Sequence, residues 1–368
     1  MKIKLHEPTF GEAEIQAAVE VLRSTNVTSG DKVREFEAKF GQHAVMCNSG
    51  SSANLLAVAA LCNPLTPNRL IPGDEVIVSA LSWATTIWPL VQYGLVPVIV
   101  DIDPETLNMD PQEAVKAIGP RTKAIMPVHV YGNPCDKAIN NLGLIVISDC
   151  CEALAADIEQ SDFNTYSFYF SHHITTLEGG MVTCKTVEHA DMLRTLRAHG
   201  WTREQENRQH YEGIDDKFLF VNAGYNLRST ELNAAIGLVQ FDKLAGFVER
   251  RRTAAKYLGK QFAYYNLSIQ KDMGSSWFGF PVIVNEKVSA RALRDHFEAD
   301  GIETRSIICG NIARQPGMQL WPHRVVGDLH HSDHVMKNGF SLPCHQDIGY
   351  DECNYMINSL NVFMDNHA

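Results

Sequence analysis

Through the first two-thirds of the chain, short apolar runs alternate with stretches whose apolar positions recur every three or four residues. Glu75–Ala80 (EVIVSA), Val96–Asp103 (VPVIVDID), Lys123–Gly132 (KAIMPVHVYG) and Leu142–Asp149 (LGLIVISD) are rich in Val and Ile and read as buried strands. Helical spacing over Ser51–Leu61 and Pro111–Ile118, the latter opening on proline, places helices between them. Apolar strands alternating with helices predict an α/β fold, a mostly parallel sheet covered on both faces, with ligands gathering at the carboxyl ends of its strands. From Ser229 a long helical pattern, expected to break near Gly246, leads out of this unit. Beyond it, a strand over Ser275–Val284, a helix over Ser289–Ile302 and a strand over Glu303–Ile308 predict a smaller α+β domain. The expected division is therefore a large domain over 1–245 and a small one over 246–368.

Composition narrows the function. Of 368 residues 45% are hydrophobic and 20% charged, as in ordinary globular proteins, and the formal charge of −11 argues against nucleic acid as a partner. The one dense basic run, Glu249–Arg252 (ERRR), lies on the long helical pattern and reads as a solvated face. MKIKLHEPTFGEAEIQ at the start has no apolar core of signal-peptide length, and no run of about 18 apolar residues occurs. A cytoplasmic protein with no membrane partner is expected. Nine irregularly spaced cysteines, with no C-x-x-C pair, fit reduced core thiols and no metal site.

Four short stretches carry candidate chemistry. In Asn48–Leu61 (NSGSSANLLAVAAL) a strand gives way at Gly50 and Ser51 to an apolar helix. Its first-turn N–H groups and hydroxyls suit a phosphate, or Ser51 or Ser52 is an ordinary N-cap. Trp83 follows a buried strand and either stacks on a flat ligand or fills the core. Asp149 ends another buried strand, with Glu152 three residues on; it meets a cationic partner such as a protonated ring nitrogen, or caps a helix. Ser167–Gly180 (SFYFSHHITTLEGG) offers Ser167 as a second phosphate hydroxyl, then His172 and His173, then two glycines that let backbone turn close to a ligand.

Taken in order, these stretches resemble the sugar aminotransferase family named after DegT, DnrJ, EryC and StrS, fold type I enzymes dependent on pyridoxal phosphate. Val27–Phe40 (VTSGDKVREFEAKF) resembles its entry motif, NSGSSAN its phosphate loop and SDCCEA its Asp-x-x-Glu signature. Gly224–Gln240 (GYNLRSTELNAAIGLVQ) resembles its Tyr-Asn-x-Arg helix start. The departure is central: His172 stands where the family has the lysine that bonds the cofactor, and His173 on the following Asn. SHHIT at Ser171–Thr175 and HGWTR at His199–Arg203 resemble a subgroup, the sugar 3-dehydratases. The spaced cysteines of its iron–sulfur branch are lacking, and Ser275–Phe280 (SSWFGF) resembles the branch acting on GDP-4-keto-6-deoxy-D-mannose. The stretch between Glu152 and Ser167 is short beside that branch.

The resemblance implies a lyase that removes the carbon-3 hydroxyl of a nucleotide-linked 4-keto-6-deoxy sugar by means of pyridoxamine 5'-phosphate. L-glutamate would regenerate that amine from pyridoxal 5'-phosphate; a glutamate-dependent sugar aminotransferase is the alternative. Imidazole, with an ordinary pKa of about 6.5 against about 10.4 for lysine, suits a general base that never bonds the cofactor. His172 would be that base. Gly50, Ser51 and Ser167 would grip the phosphate, Trp83 stack on the ring, Asp149 hold the ring nitrogen protonated and Glu152 approach the ring hydroxyl. Asn226 would reach the phosphate of a neighbouring subunit and Arg228 bind a carboxylate of glutamate, so a homodimer with shared sites is implied. His173 orients the base or simply packs, and His199 and Trp201 contact substrate or only shape a loop.

Overall fold

In the computed structural model, which describes residues 1–367 except 207, 209, 266, 286 and 287, the apolar runs do form strands. They are β1 (Ala44–Cys47), β2 (Glu75–Ser79), β3 (Val96–Val100), β4 (Thr122–Met126) and β5 (Ile145–Asp149), then β6 (Phe163–Ser167), β7 (Gly180–Cys184), β8 (Leu267–Ile269), β9 (Phe280–Val284), β10 (Arg324–Val325) and β11 (Gly339–Leu342). The α-helices are α1 (Glu12–Ser24), α2 (Asp31–Phe40), α3 (Gly50–Cys62), α4 (Ala84–Gln92), α5 (Pro111–Ala117), α6 (Val187–Arg197), α7 (Glu231–Phe262), α8 (Ala290–Ala299), α9 (His330–Asn338) and α10 (Tyr350–Asp365).

The large sheet has the order β1-β7-β6-β5-β4-β2-β3-β10. From β6 to β10 every neighbouring pair is parallel, while β7 runs antiparallel to both β6 and β1. Antiparallel neighbours need no crossover helix, so β6 and β7 are joined by the single loop 168–179. That loop carries His172. The reversal also leaves β1 pointing the same way as β2, β5 and β6, which puts Asn48, Trp83, Asp149 and Ser167 near one edge of the sheet. α3 is apolar on all sides and almost wholly buried, packed on β6 and β7 between α4 and α6.

The second sheet, β11-β9-β8, is antiparallel. Phe280, Phe297, Phe340 and Leu360 join Ala254, Leu258 and Phe262 of α7 in its core. Three expectations need correcting. α7 runs unbroken through Gly246, because the cost of one exposed helical glycine, about 1 kcal/mol, is small beside the packing of 32 residues on α1, α2 and α10. Glu303–Ile308 is not a strand; only Arg305 bridges to Ser341. The run from Lys123 stops being a strand at Met126, and Val130–Gly132 forms a 3₁₀ turn.

The two sequence halves also interlock. β10 pairs with β3 of the large sheet, and Ile3 pairs with Ile302, its N–H donating to Gly301. The division into 1–245 and 246–368 thus falls inside α7, and we keep it as a proposed division. Among the described residues no helix is long and apolar enough to cross a membrane.

Candidate active site

At the shared carboxyl edge lies a cavity of about 450 Å³. Gly50, Ser51, Trp83, Asp149, Glu152, Ser167 and His172 all line it. They come from the start of α3, the start of α4, the ends of β5 and β6 and the loops that follow those two strands. Ser49, rather than Ser51 or Ser52, caps α3, accepting from the Ser52 N–H at 3.1 Å. The Ser51 hydroxyl is therefore free of capping; it lies on the cavity, 3.0 Å from Thr85 Oγ1. First-turn N–H groups such as those of Gly50 and Ser51 have no acceptor within a helix. A Cβ on Gly50 would meet Ser167 Cβ at 2.5 Å, so glycine lets β6 end against the helix start. The glycines at 179 and 180 serve the same packing and do not free space for a ligand: a Cβ on Gly180 would sit 2.2 Å from the Ser49 carbonyl oxygen.

Asp149 is 3% exposed. Its Oδ2 accepts from Asn54 Nδ2 (2.8 Å) and Thr86 Oγ1 (2.7 Å), and its Oδ1 from the Cys151 N–H (3.1 Å). No helix starts there, so it is not a helix cap. Thr165 Oγ1 donates in turn to Asn54 Oδ1 at 2.6 Å, which fixes the amide orientation. All these donors are neutral, and among the described residues no ion pair reaches the carboxylate. A buried carboxylate on a cavity wall without a cation is costly until one arrives. Trp83 is 52% exposed at the start of α4, a wall of the cavity rather than core.

Glu152 Oε2 accepts from the Tyr131 N–H at 2.9 Å. Burial raises its carboxyl to about 6, with the Arg305 charge opposing and that of Asp149 adding to the rise. Arg305 and Phe278 reach the cavity from chain beyond α7.

His172 Nδ1 lies 2.7 Å from the Cys151 carbonyl oxygen. A carbonyl only accepts, so Nδ1 carries the proton. Burial lowers the imidazole to about 4, the nearby Arg305 and Arg251 charges adding to the shift. The ring is therefore neutral near pH 7, and its basic lone pair is on Nε2. His173 is 1% exposed, donates from Nε2 to the Ser276 carbonyl at 3.0 Å and does not line the cavity. It ties the loop to the small domain.

The remaining candidates stand apart. Asn226, Arg228 and Trp201 line a second cavity of about 510 Å³, with Arg34, Arg194 and Arg203. Arg228 Nη2 lies 3.0 Å from Asn226 Oδ1 and 3.3 Å from His199 Nε2. Trp201 stacks on Phe220, and Arg203 lies over its ring. The segment is fixed beside β1 by the Asn48 N–H, which donates to the Leu227 carbonyl at 2.9 Å. Within one chain these residues do not join His172. Among the described residues no group of three His, Cys, Asp or Glu is placed to hold a metal ion.

Asn54 and Thr86 escaped the sequence reading, although polar residues inside apolar helices are a signal that a buried partner exists. Arg305 and Phe278 had none, since only the fold brings them near.

Residues 8–361 match the model of the DegT/DnrJ/EryC1/StrS aminotransferase family. GDP-4-keto-6-deoxy-D-mannose 3-dehydratase of Escherichia coli O55:H7 is 36% identical over 379 residues, covering 96% of this chain and 97% of that protein. The solved structure of E. coli GDP-4-keto-6-deoxy-D-mannose-3-dehydratase with bound hydrated PLP superposes with a TM-score of 0.92 at 35% identity, covering 98% of this chain and 100% of that one. GDP-4-keto-6-deoxymannose-3-dehydratase with a trapped PLP-glutamate geminal diamine gives 0.93 at 35% identity, with the same coverage. With its motifs in the family's order and the match running nearly end to end, the chain belongs to the DegT/DnrJ/EryC1/StrS aminotransferase family.

Proposed function

We propose that this protein is a pyridoxal/pyridoxamine 5'-phosphate-dependent nucleotide-sugar 3-dehydratase, with GDP-4-keto-6-deoxy-D-mannose as substrate and L-glutamate as amine donor. The observation that carries the reading is a neutral imidazole, His172, in the lysine position beside the cation-free carboxylate of Asp149. Relatives of this chain are named for the same dehydration, and one is solved with a PLP–glutamate adduct.

The residues present fit the cofactor. Gly50, Ser51 and Ser167 offer N–H and hydroxyl donors to a phosphate at the α3 N-terminus, where the helix dipole favours negative charge. Asp149 supplies the carboxylate for a protonated ring nitrogen, Trp83 a flat wall and Glu152 a group near the ring hydroxyl. When bound, the cofactor supplies an amine for the sugar keto group and an electron-accepting ring that lets the carbon-3 hydroxyl leave.

His172 Nε2 takes the proton that starts this elimination. Nδ1 stays bonded to the Cys151 carbonyl, so the ring cannot turn away as it becomes charged. Burial disfavours the charged ring, so the imidazolium readily gives the proton up again, to the departing hydroxyl. Since no lysine amine stands at this position, cofactor retention is non-covalent.

Asn226 and Arg228 act across a homodimer, in the cavity of the neighbouring subunit, on the phosphate and on a glutamate carboxylate; His199 and Trp201 contact the substrate there. The protein works in the cytoplasm, free of membrane. Purified protein given pyridoxal phosphate, glutamate and GDP-4-keto-6-deoxy-D-mannose should release ammonia and the 3-deoxy-4-keto sugar, and borohydride should attach no cofactor to the chain. An amino sugar formed without ammonia would make it an aminotransferase instead.

A further inference from the structure

The basic run at 249–252 is only in part the solvated face that its composition predicts: Glu249 and Arg250 are exposed, and Arg251 is not. Arg251 is 2% exposed on α7. Its guanidinium meets only neutral acceptors: Nη1 donates to the carbonyls of Trp277 (3.2 Å), Phe278 (3.2 Å) and Cys344 (2.9 Å), and Nη2 to Gln346 Oε1 (3.4 Å). Its Nε has no partner among the described residues. A buried guanidinium without a carboxylate is an expensive arrangement, of the kind that persists where something depends on it.

The dependent element is the turn 275–279. Trp277 there has φ +52°, a conformation strained for a bulky residue, and its carbonyl and the next are the ones that Arg251 gathers. Arg252 adds a bond from Nε to the Ser275 carbonyl at 2.9 Å. Opposite the turn stand both loop histidines. The Phe278 ring centroid lies 4.9 Å from that of His172 and 5.8 Å from that of His173, and His173 donates to the Ser276 carbonyl.

We propose that Arg251 is the positioning residue for the His172 base, its buried guanidinium holding the 275–279 turn that seats Phe278 against the imidazole. This rests on His172 being the base. The charged and titratable groups around His172 are Asp149 at the end of β5, Cys151 and Glu152 after it, Tyr169, His173 and Glu178 on its own loop, Arg305 from the segment after α8, and Arg251 of α7 behind the 275–279 turn. Of the cations, Arg251 is the buried one. It therefore also keeps the imidazole unprotonated, together with burial itself and Arg305.

The test compares full-length Arg251→Met, Arg251→Lys and Phe278→Leu by steady-state kinetics and by NMR titration of the His172 imidazole without cofactor. Arg251→Met should lower kcat about 10- to 100-fold, with KM for the nucleotide sugar within about twofold. The His172 titration should move upward by about one pH unit, as expected when a nearby positive charge is removed. Arg251→Lys, which keeps the charge without the planar fork, should lose kcat while His172 titrates as in the parent. Should Arg251→Met not fold, Phe278→Leu keeps the guanidinium cluster and should still lower kcat at least about tenfold. Parent-like kcat in folded Arg251→Met, or in Phe278→Leu, overturns the proposal. His172→Asn is measured alongside: if it retains turnover, the base assignment itself fails, whereas its loss with Arg251→Met unaffected removes only the role of Arg251.

Discussion

The cavities around His172 and around Arg228 are built on different electrostatic plans. Around His172 the hydrogen bonds of three ionisable groups are made with neutral neighbours: Asn54 and Thr86 for buried Asp149, a backbone N–H for half-buried Glu152, a carbonyl for half-buried His172. Around Arg228 four arginines and Glu204 line the wall; Arg34 and Arg194 are ion-paired, whereas Arg203 and Arg228 form no ion pair among the described residues, only a stacking contact and bonds to Asn226 and His199. The contrast teaches where each cavity finds its counter-charge. On the proposed function, the first takes its counter-charge from the cofactor, and the second from the ligands of the neighbouring subunit.

The sharpest way to break this comparison is Asp149→Asn. With its amide oxygen toward Asn54 and Thr86 it keeps that network, while it removes the charge and the acceptor of the Cys151 N–H, and it should lower turnover by about 10²–10³-fold, read as kcat with saturating cofactor. Near-parental kcat would mean that the carboxylate is merely structural. Next in size is a mixing experiment. His172→Asn and Arg228→Ala should each be inactive alone, and an equimolar mixture with exchanged subunits should recover about a quarter of parental activity, because about half of the dimers are then mixed and one of the two sites in each of these is whole. No recovery would place Arg228 in its own chain's site. The smallest effect belongs to Glu152. Its carboxyl is raised in the folded state, so folding is penalised above pH about 6 and relieved as pH falls below the ordinary value of 4.5. Glu152→Gln should therefore stabilise the cofactor-free protein by about 1–2 kcal/mol at pH 8 and by almost nothing at pH 4, in urea melts at both.

What the sequence disclosed of each cavity follows from how local its parts are. Gly50, Ser51, Trp83, Asp149 and Ser167 each sit at the end of an element whose apolar pattern is readable, so strand ends alone bring them to one edge. His172 was legible for a different reason, as an exchange inside a familiar motif. Arg305, Phe278 and Arg251 were illegible, since their positions depend on how the second sheet meets the first. Arg251 was misread outright, because three consecutive arginines on a helix look like a solvent face until the turn at Trp277 is in place. The glycines at 179 and 180 were credited with letting backbone turn close to a ligand, whereas the Thr176 side chain and the Ser49 backbone occupy the space beside them.

The strand β10 is only two residues long, yet it stitches chain from beyond residue 320 onto the outer edge of β3, while Ile3 grips Ile302 from the other terminus. A fragment cut at 245 would thus expose the flank of one sheet and leave the other without its N-terminal tether. Any opening of the cleft for sugar entry must hinge around these two stitches, which favours local rearrangement of loops over a swing of one half against the other.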